Sequence, residues 1–360
     1  MVRCSNCHQP YPDIGLPYRC PSCRGAFDED DLVYAADRID KSQPGIWRYR
    51  SAFGLPVDAP VVTLGEGNTP LVWAEVCGRQ VAFKCEYLNP SGSFKDRGSA
   101  LLVSMLLARG VRSAVEDSSG NAGASLAAYA ARAGVQARIF IPESASGPKC
   151  RQIAAYGAHV ERIAGPRVRA AEAAQKAAER GAAYASHAYL PFNLPGYATL
   201  AYELVEQLGQ APGTVVLPVG QGGLWLGLAR GFRAMLKAGL LERTPVLVGV
   251  QARACAPLWA VSAYGSAGLG WGVLTTIAEG VAVQTPVRGD AVLRLLDEMG
   301  GSLTAVDEEA IIPGRDALAR LGFYVEPTSA VVCDVIGQLD RSAREPVVAI
   351  LTGSGLKANI

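Results

Sequence analysis

Short β-branched segments alternate along this chain with alanine-rich segments of helical pattern. VAFKCE is followed by DRGSALLVSMLLARG, SAVED by NAGASLAAYAARAG, and TVVLPVG by GGLWLGLARGFRAMLKAG. Buried parallel strands have such continuous apolar runs, and the helices between them return the chain to the same end of the sheet. No segment recurs at a fixed period, which excludes solenoids and propellers. The sequence predicts an α/β fold, and 360 residues are enough for two packed lobes.

Charge and hydropathy narrow the class of partner. Charged residues are 19% of the chain and the formal net charge is +1, so no broad basic surface indicates nucleic acid. The first residues, MVRCSNCHQP, lack the apolar stretch of a secretion signal, and no apolar run is long enough to span a membrane. We therefore predict a cytoplasmic protein that binds a small molecule, with no nucleic-acid or membrane partner.

Four of the nine cysteines form two closely spaced pairs near the N-terminus, Cys4-x2-Cys7 and Cys20-x2-Cys23. Such a spacing can place four thiolates around one structural zinc ion, and a segment this short needs a metal to hold its fold. Two disulfides, which a reducing compartment disfavours, and a module that no longer binds metal are the alternatives. His8 is interpreted as an exposed neighbour. The other cysteines are interpreted as small core residues: Cys77, Cys85, Cys150, Cys255 and Cys333.

Three glycine-rich junctions follow predicted strands, where open α/β sheets bind their ligands. In PVGQGG a strand runs through Gly220, Gln221, Gly222 and Gly223 directly into a helix, which is typical of a phosphate site but also of a ligand-free turn. A dinucleotide fingerprint would need its third glycine at Trp225, and no G-K-[ST] follows for a P-loop.

The second junction, EDSSGNAGAS, places Ser118, Ser119 and Asn121 at the start of a helix. They can bind an anion there or simply cap the helix. The third junction, LTGSGLK, carries Thr352 and Ser354, which can contact a flat heterocycle or close a turn.

The segment NPSGSFKDRG places Lys95 between Phe94 and Asp96 in a turn rich in glycine and serine. A surface lysine in a solvated ion pair needs no such setting. A lysine that must reach a bound group at the start of a helix does need such a setting.

Together these segments resemble one known family. LGEGNTPL, NPSGSFKDRG, SSGNAGASLAAYAARAG, PVGQGG, VEPTSA and LTGSGLK occur in the order found in the threonine synthase family of pyridoxal-5'-phosphate (PLP) enzymes. The likeness covers nearly the whole chain. It implies the tryptophan-synthase-β-like fold, fold type II, with two parallel-sheet lobes, an amino-acid substrate, lyase chemistry and a homodimer. Some members also carry an N-terminal zinc-ribbon-like module.

The resemblance also implies roles for particular residues. Lys95 forms the covalent bond to the cofactor aldehyde as a neutral amine and then shuttles protons. The other cofactor-binding residues it implies are Phe94, Asn121 at the phenolic oxygen of the ring, Gly220, Gln221, Gly222 and Gly223 at the phosphate, and Thr352 at the pyridine nitrogen. Candidate substrate-binding residues are Ser118, Ser119, Ala122, His187 and Asn193.

Two positions depart from the family pattern. Threonine synthases bind the phosphate of O-phosphohomoserine partly through a threonine and an arginine, where this chain has Ala122 and Asn193. A dianionic phosphate usually needs charge-assisted donors.

Three functions are consistent with these departures. The first is a threonine synthase whose phosphate contacts have moved to Lys149, Arg151 or Arg97. The second is a threonine-synthase-like enzyme of β-elimination or β-replacement, similar to dehydratases or to cysteate and cysteine synthases; the segment AEGVAV at 278–283 resembles dehydratases. The third is a non-catalytic PLP-binding protein, which the retained Lys95 disfavours.

The predicted domain organisation follows from these segments. A zinc-ribbon-like module covers residues 1–27, and a charged connector with Pro44 and Gly45 covers 28–45. The catalytic body covers 46–360, with a smaller α/β lobe at about 90–200 within it.

Overall fold

The computed structural model describes residues 1–271 and 274–358. Its strands are β1 (Arg3–Cys4), β2 (Phe27–Asp28), β3 (Leu71–Val76), β4 (Arg79–Lys84), β5 (Ser113–Glu116), β6 (Gln136–Pro142), β7 (His159–Ile163), β8 (Ala183–Tyr184), β9 (Thr214–Pro218), β10 (Val246–Ala252), β11 (Ser302–Val306) and β12 (Val347–Ile350). Its α-helices are α1 (Lys95–Ala108), α2 (Asn121–Ala133), α3 (Pro148–Ala155), α4 (Arg167–Glu179), α5 (Leu194–Leu208), α6 (Gly223–Lys237), α7 (Pro257–Tyr264), α8 (Gly289–Met299), α9 (Glu308–Arg320) and α10 (Pro327–Gln338).

The first of two compact units comprises Met1–Gly67 and Asn89–Tyr197. It contains a four-stranded sheet in the order β7-β6-β5-β8, and all of its strand pairs are parallel. Because β5 and β8 are parallel neighbours, the residues that follow them emerge side by side at the carboxyl end of the sheet. The same unit holds the antiparallel pair β1–β2 of the cysteine module.

The second unit comprises Asn68–Leu88 and Ala198–Ala358. Its six-stranded sheet has the order β11-β10-β9-β12-β4-β3. The central strands β9 and β12 are buried along their whole length, as their unbroken apolar runs predict. Helix α10 packs over them, and Val216, Val331 and Val347 belong to the shared core. The carboxyl ends of β9 and β12 therefore lie next to each other.

The α/β class and the parallel sheets predicted from the sequence are confirmed, with one difference at the sheet edge. Strands β3 and β4 pair antiparallel, because only Cys77 and Gly78 connect them and a parallel crossover needs a dozen or more residues. Among the described residues no helix is long and apolar enough to span a membrane. The domain limits predicted from the sequence, 1–27, 28–45 and 46–360, are not tested by this division into two units and stay a prediction.

Candidate active site

Lys95 is the first residue of α1 and is partly buried. Its Nζ atom lies 4.8 Å from the centroid of the Phe94 ring and 5.9 Å from that of Tyr197. The two rings, whose centroids are 5.2 Å apart, give the amine an apolar and aromatic surrounding. The sequence singled out Phe94, whereas Tyr197 reaches this place only through the fold.

Asp96 is turned into the protein interior. Its carboxyl group is fully buried and accepts hydrogen bonds from Ser91 N at 2.6 Å, Ser91 Oγ at 2.5 Å and Ser125 Oγ at 2.6 Å. A carboxyl group in this position fixes the turn before α1 and is not half of a solvated ion pair. The surface-pair alternative for Lys95 is therefore wrong.

The carboxyl end of β5 carries two adjacent acids. Glu116 is 1% exposed, and its Oε1 atom lies 2.7 Å from Nδ1 of His187. Burial raises the pKa of Glu116 well above its usual range, and the negative charge of Asp117 adds to this, while the positive charges of Arg167 and Lys95 act in the opposite direction. Asp117 accepts a hydrogen bond of 2.6 Å from the hydroxyl of Tyr184.

Residues 186–199 carry the candidate substrate-binding residues His187 and Asn193, and we call them the substrate segment. A hydrogen bond within the segment joins these two residues. Asn193 is 1% exposed, and its Nδ2 donates a 2.7 Å hydrogen bond to the backbone oxygen of His187. Ala122 is buried in the first turn of α2. Neither position offers a positive charge.

The start of α2 is not capped as the alternative interpretation proposed. Its N-cap residue is Gly120, which has no side-chain capping bond, and Ser118 instead accepts a 3.2 Å hydrogen bond from Gly120 N. Ser119 and Asn121 are partly buried at the mouth of the helix. Simple capping by serine or asparagine is therefore wrong.

The glycine run of the second unit lies between β9 and α6. A Cβ atom on Gly220 would come within 2.6 Å of the backbone oxygen of Gly280, and one on Gly222 within 2.5 Å of Val292 Cγ2. Gly222 also has a left-handed φ of 82°. Helix α6 begins at Gly223 without a side-chain cap, so its first amides fit the phosphate of PLP. Gln221 itself accepts a 3.1 Å bond from Val287 N.

Thr352 follows β12 and is 2% exposed. Its hydroxyl lies 3.0 Å from Oγ of Ser329, which also accepts a 2.9 Å bond from Gly353 N. Ser329 therefore fixes the hydroxyl of Thr352. Ser329 lies in the motif VEPTSA, which was the available sequence signal, yet its role was not predicted.

The sulfur atoms of Cys4, Cys7, Cys20 and Cys23 lie within 4.8 Å of one another. Cys4 Sγ is 3.4 Å from Cys23 Sγ, and Cys7 Sγ is 3.6 Å from Cys20 Sγ. Both distances exceed the about 2.05 Å of a disulfide bond. They are near the roughly 3.8 Å that tetrahedral Zn–S bonds of about 2.3 Å require, so the cluster fits one zinc ion.

The cysteine module contacts the substrate segment within the same unit. Arg19 donates a 2.8 Å hydrogen bond to the hydroxyl of Tyr189, and the ring of Tyr18 packs edge-on against Tyr184 and Tyr189. The rings of Tyr11 and Phe192 are 5.0 Å apart. The fold of the module therefore supports the segment that carries His187.

Comparison with known proteins agrees with this geometry. A family described as pyridoxal-phosphate dependent enzyme matches residues 62–353. The chain belongs to this family. Among its relatives, the threonine synthase of Methanocaldococcus jannaschii is 31% identical over 99% of this chain and 93% of that protein. The threonine synthase of Mycobacterium leprae is 36% identical over 87% of this chain and 89% of that protein.

Solved structures of pyridoxal-phosphate enzymes share the fold. Maize serine racemase superposes with a TM-score of 0.69 at 23% identity, over 80% of this chain and 88% of that one. The threonine deaminase of T.th. gives a TM-score of 0.64 at 28% identity, over 79% of this chain and 92% of that one. The predicted fold type II is confirmed, and the chain is a PLP-dependent lyase of the threonine synthase family.

Proposed function

We propose that this enzyme breaks a carbon–oxygen bond in the side chain of a small amino acid, with Lys95 as the catalytic residue. Bound PLP supplies the electron sink for such chemistry. The position of Lys95 carries the proposal, because a lysine at the first residue of α1, partly buried beside Phe94 and Tyr197, can bind the cofactor aldehyde and move the α-proton. The homodimer stays a prediction from the resemblance, and the cytoplasmic location stays a prediction from the sequence.

The remaining cofactor contacts follow from the local geometry. The amides at Gly222 and Gly223 would hold the phosphate, and the close packing at Gly220 leaves no room for a side chain there. Thr352, oriented by Ser329, would offer a neutral hydroxyl to the pyridine nitrogen. Asn121 would donate to the phenolic oxygen of the ring.

Conversion of O-phosphohomoserine to threonine and phosphate is the first candidate reaction. Relatives named threonine synthase match nearly the whole length of this chain, which supports it. Because Ala122 and Asn193 carry no charge, a site for the substrate phosphate would need cations from other positions. Lys149 is partly buried and Arg151 is exposed on α3, whereas Arg97 is fully buried in α1.

Elimination from an unphosphorylated hydroxy amino acid is the second candidate. The buried Asn193 favours it, because its neutral amide donates to the backbone oxygen of His187 and brings no positive charge to a substrate phosphate. Arg167 contacts Asp117 at 3.7 Å, so its positive charge is already partly neutralised. The 28% identity to a threonine deaminase also supports the second candidate.

One assay separates the candidates. The purified holoenzyme is given O-phosphohomoserine, with phosphate and threonine measured, and in parallel serine and threonine, with ammonia measured. Phosphate release establishes the first candidate and ammonia release the second. Absence of both, in protein that carries PLP, would support the non-catalytic interpretation.

We further propose that the cysteine module binds one structural zinc ion. Exchanging Cys4→Ser together with Cys7→Ser removes two of the four thiolates, and we expect the variant to lose about one zinc per chain. Hydrogen exchange should then rise in residues 1–28 and also in 184–193, because Arg19 and Tyr18 contact that segment. Metal content and exchange mass spectrometry provide the measurement.

The control for this experiment is Cys77→Ser, outside the cluster. The interpretation of Cys77 as a core residue is wrong, because this cysteine is exposed in the connection between β3 and β4. This variant should leave metal content and exchange unchanged. If wild-type protein prepared with zinc contains no metal, the module is degenerate.

A further inference from the structure

The cysteine module, which ends with β2 (Phe27–Asp28), takes no part in the chemistry described so far. Its four thiolates complete the coordination of a zinc ion, so the metal would keep no open position for a substrate. The module is nevertheless packed against two segments that carry candidate substrate-binding residues. What these contacts hold in place indicates the role of the module.

Arg19 joins the module to the substrate segment. It directly precedes the turn 20–24, which a 2.9 Å hydrogen bond from Arg24 N to the oxygen of Cys20 closes. Nη1 of Arg19 donates a 3.1 Å bond to the backbone oxygen of Arg24, and Nη2 donates a 2.8 Å bond to the hydroxyl of Tyr189. The guanidinium carbon also lies 4.7 Å from the centroid of the Tyr189 ring. One planar group is thus bonded to the cysteine turn and to the substrate segment together.

Tyr18 carries the contact to the segment that follows β5. Its ring is buried and packs edge-on against that of Tyr184, with 5.1 Å between the ring centroids. The hydroxyl of Tyr184 donates its 2.6 Å bond to Asp117, which directly precedes the candidate substrate-binding Ser118. The module therefore supports the chain at the carboxyl ends of both β5 and β8.

Arg109 fixes the module from the other side. It directly follows α1 and donates hydrogen bonds of 2.9 Å to the backbone oxygen of Pro12 and 2.8 Å to that of Gly15. Its guanidinium carbon lies 5.5 Å from the centroid of the Phe192 ring. The loop of the module is therefore held against the helix that begins with Lys95 and against the substrate segment.

The first part of the substrate segment depends on such contacts. Residues 185–190 lie between β8 and the 3-10 turn Pro191–Asn193 and form turns, not a helix or a strand. Without a ladder of backbone hydrogen bonds, a segment keeps one conformation through its tertiary contacts. If these contacts are lost, the substrate must order the segment as it binds, which weakens binding.

We propose that Arg19 is a positioning residue for substrate binding. The turn 20–24 fixes Arg19, and Arg19 fixes Tyr189, so that the neighbouring His187 meets the substrate in one conformation. This role rests on the proposed function, in which the substrate segment contacts the amino-acid substrate. It makes the cysteine module a part of the substrate site.

The test measures steady-state kinetics of Arg19→Met holoenzyme with whichever of O-phosphohomoserine, serine and threonine the wild type turns over. Methionine keeps an apolar stem but cannot donate a hydrogen bond. We expect KM to rise about 10- to 100-fold, the range for one lost charge-assisted hydrogen bond. The value of kcat should change by less than about threefold, because a contact that only holds the binding segment acts equally on ground state and transition state.

Two further variants of arginine serve as controls. Arg19→Lys keeps a positively charged donor and should recover most of the lost affinity. Arg3→Met changes an exposed arginine on β1 of the same module and should leave KM and kcat unchanged.

A double-mutant cycle determines whether the effect passes through Tyr189. Tyr189→Phe removes the hydroxyl that accepts from Arg19 but keeps the ring that packs against Tyr18. In this background, Arg19→Met should raise KM by less than about threefold more, since the hydrogen bond is already absent. An effect of the same size in both backgrounds would contradict the proposed path.

Hydrogen exchange gives a readout without substrate. Exchange in residues 184–193 should rise in Arg19→Met and not in Arg3→Met. Both variants should keep the metal content and the PLP absorbance of the wild type. A rise in exchange with full metal content separates the role of Arg19 from loss of the module's fold.

The outcomes distinguish this role from the function on which it rests. An unchanged KM in active Arg19→Met enzyme, a loss confined to kcat, or unchanged exchange in 184–193 would each overturn the role of Arg19 while the lyase function stands. If the wild type turns over none of the three substrates, the proposed function is refuted and this role with it. If Arg19→Met does not fold, Tyr189→Phe removes the same bond, and an unchanged KM in that variant overturns the role.

Discussion

Lys95→Ala is expected to abolish turnover of every amino-acid substrate, by more than about 10³-fold, because one amine serves both as the covalent attachment point and as the proton carrier. Borohydride treatment of the wild type should attach the cofactor permanently to the peptide containing Lys95. The variant should show no such attachment. The measurements are steady-state kinetics and peptide mass spectrometry after reduction.

Lys176→Ala is the matched control, since Lys176 is exposed in the last turn of α4 in the same unit. It should keep full activity and full labelling. Labelling of Lys95→Ala at another lysine, with activity retained, would move the chemistry to that lysine and refute the proposed site.

Glu203→Ala is expected to lower the free energy of unfolding by about 3–5 kcal/mol, the usual cost of leaving a buried charge without its partner. Lys84 and Glu203 are both 0% exposed, and Lys84 Nζ lies 2.9 Å from Glu203 Oε2. Lys84 also donates to the oxygen of Thr69 at 2.7 Å, and Glu203 accepts from Asn68 N at 2.8 Å. The pair thus ties β4 to the helix α5.

Urea unfolding followed by tryptophan fluorescence gives the measurement. The double variant Lys84→Met with Glu203→Leu removes both charges and should be far closer to wild type, since apolar replacement of a buried pair is often neutral. Glu298→Ala breaks the surface pair with Arg233 at 3.4 Å and should cost less than about 1 kcal/mol. A Glu203→Ala midpoint equal to that of Glu298→Ala would contradict the prediction.

The strands predicted from the sequence are those whose signal is local. SAVED contains β5, TVVLPVG contains β9, and VAFKCE overlaps β4. In TVVLPVG the signal is an unbroken apolar run, which is itself the requirement for burial on both faces. The two-residue strand β8 was not predicted, since so short a segment has no pattern. The direction of β3 was not predicted either, because it depends on the length of its connection to β4.

The residues of the candidate site also differ in whether a local sequence signal indicates them. Lys95, Asn121, the glycine run and Thr352 could be predicted as site residues because each lies in a short motif whose residues act through one turn or one helix end, and their roles stay predictions. Ser329 was missed although it lies 23 positions from Thr352 in a quoted motif. His187 was found as a candidate, but its partner Glu116 was not, because no local pattern connects residues 71 positions apart.

The sequence by itself determined the fold class, the enzyme family and the lysine at the centre of the proposed chemistry, since burial of apolar runs and the conformations of glycine turns are properties of neighbouring residues. Only the tertiary structure decided which charges meet. It placed Asp96 in the interior, joined Glu116 to His187 and bound Asn193 to the backbone beside them. Electrostatic interactions depend on distance and burial in space, which here follow from the pairing of β5 with β8.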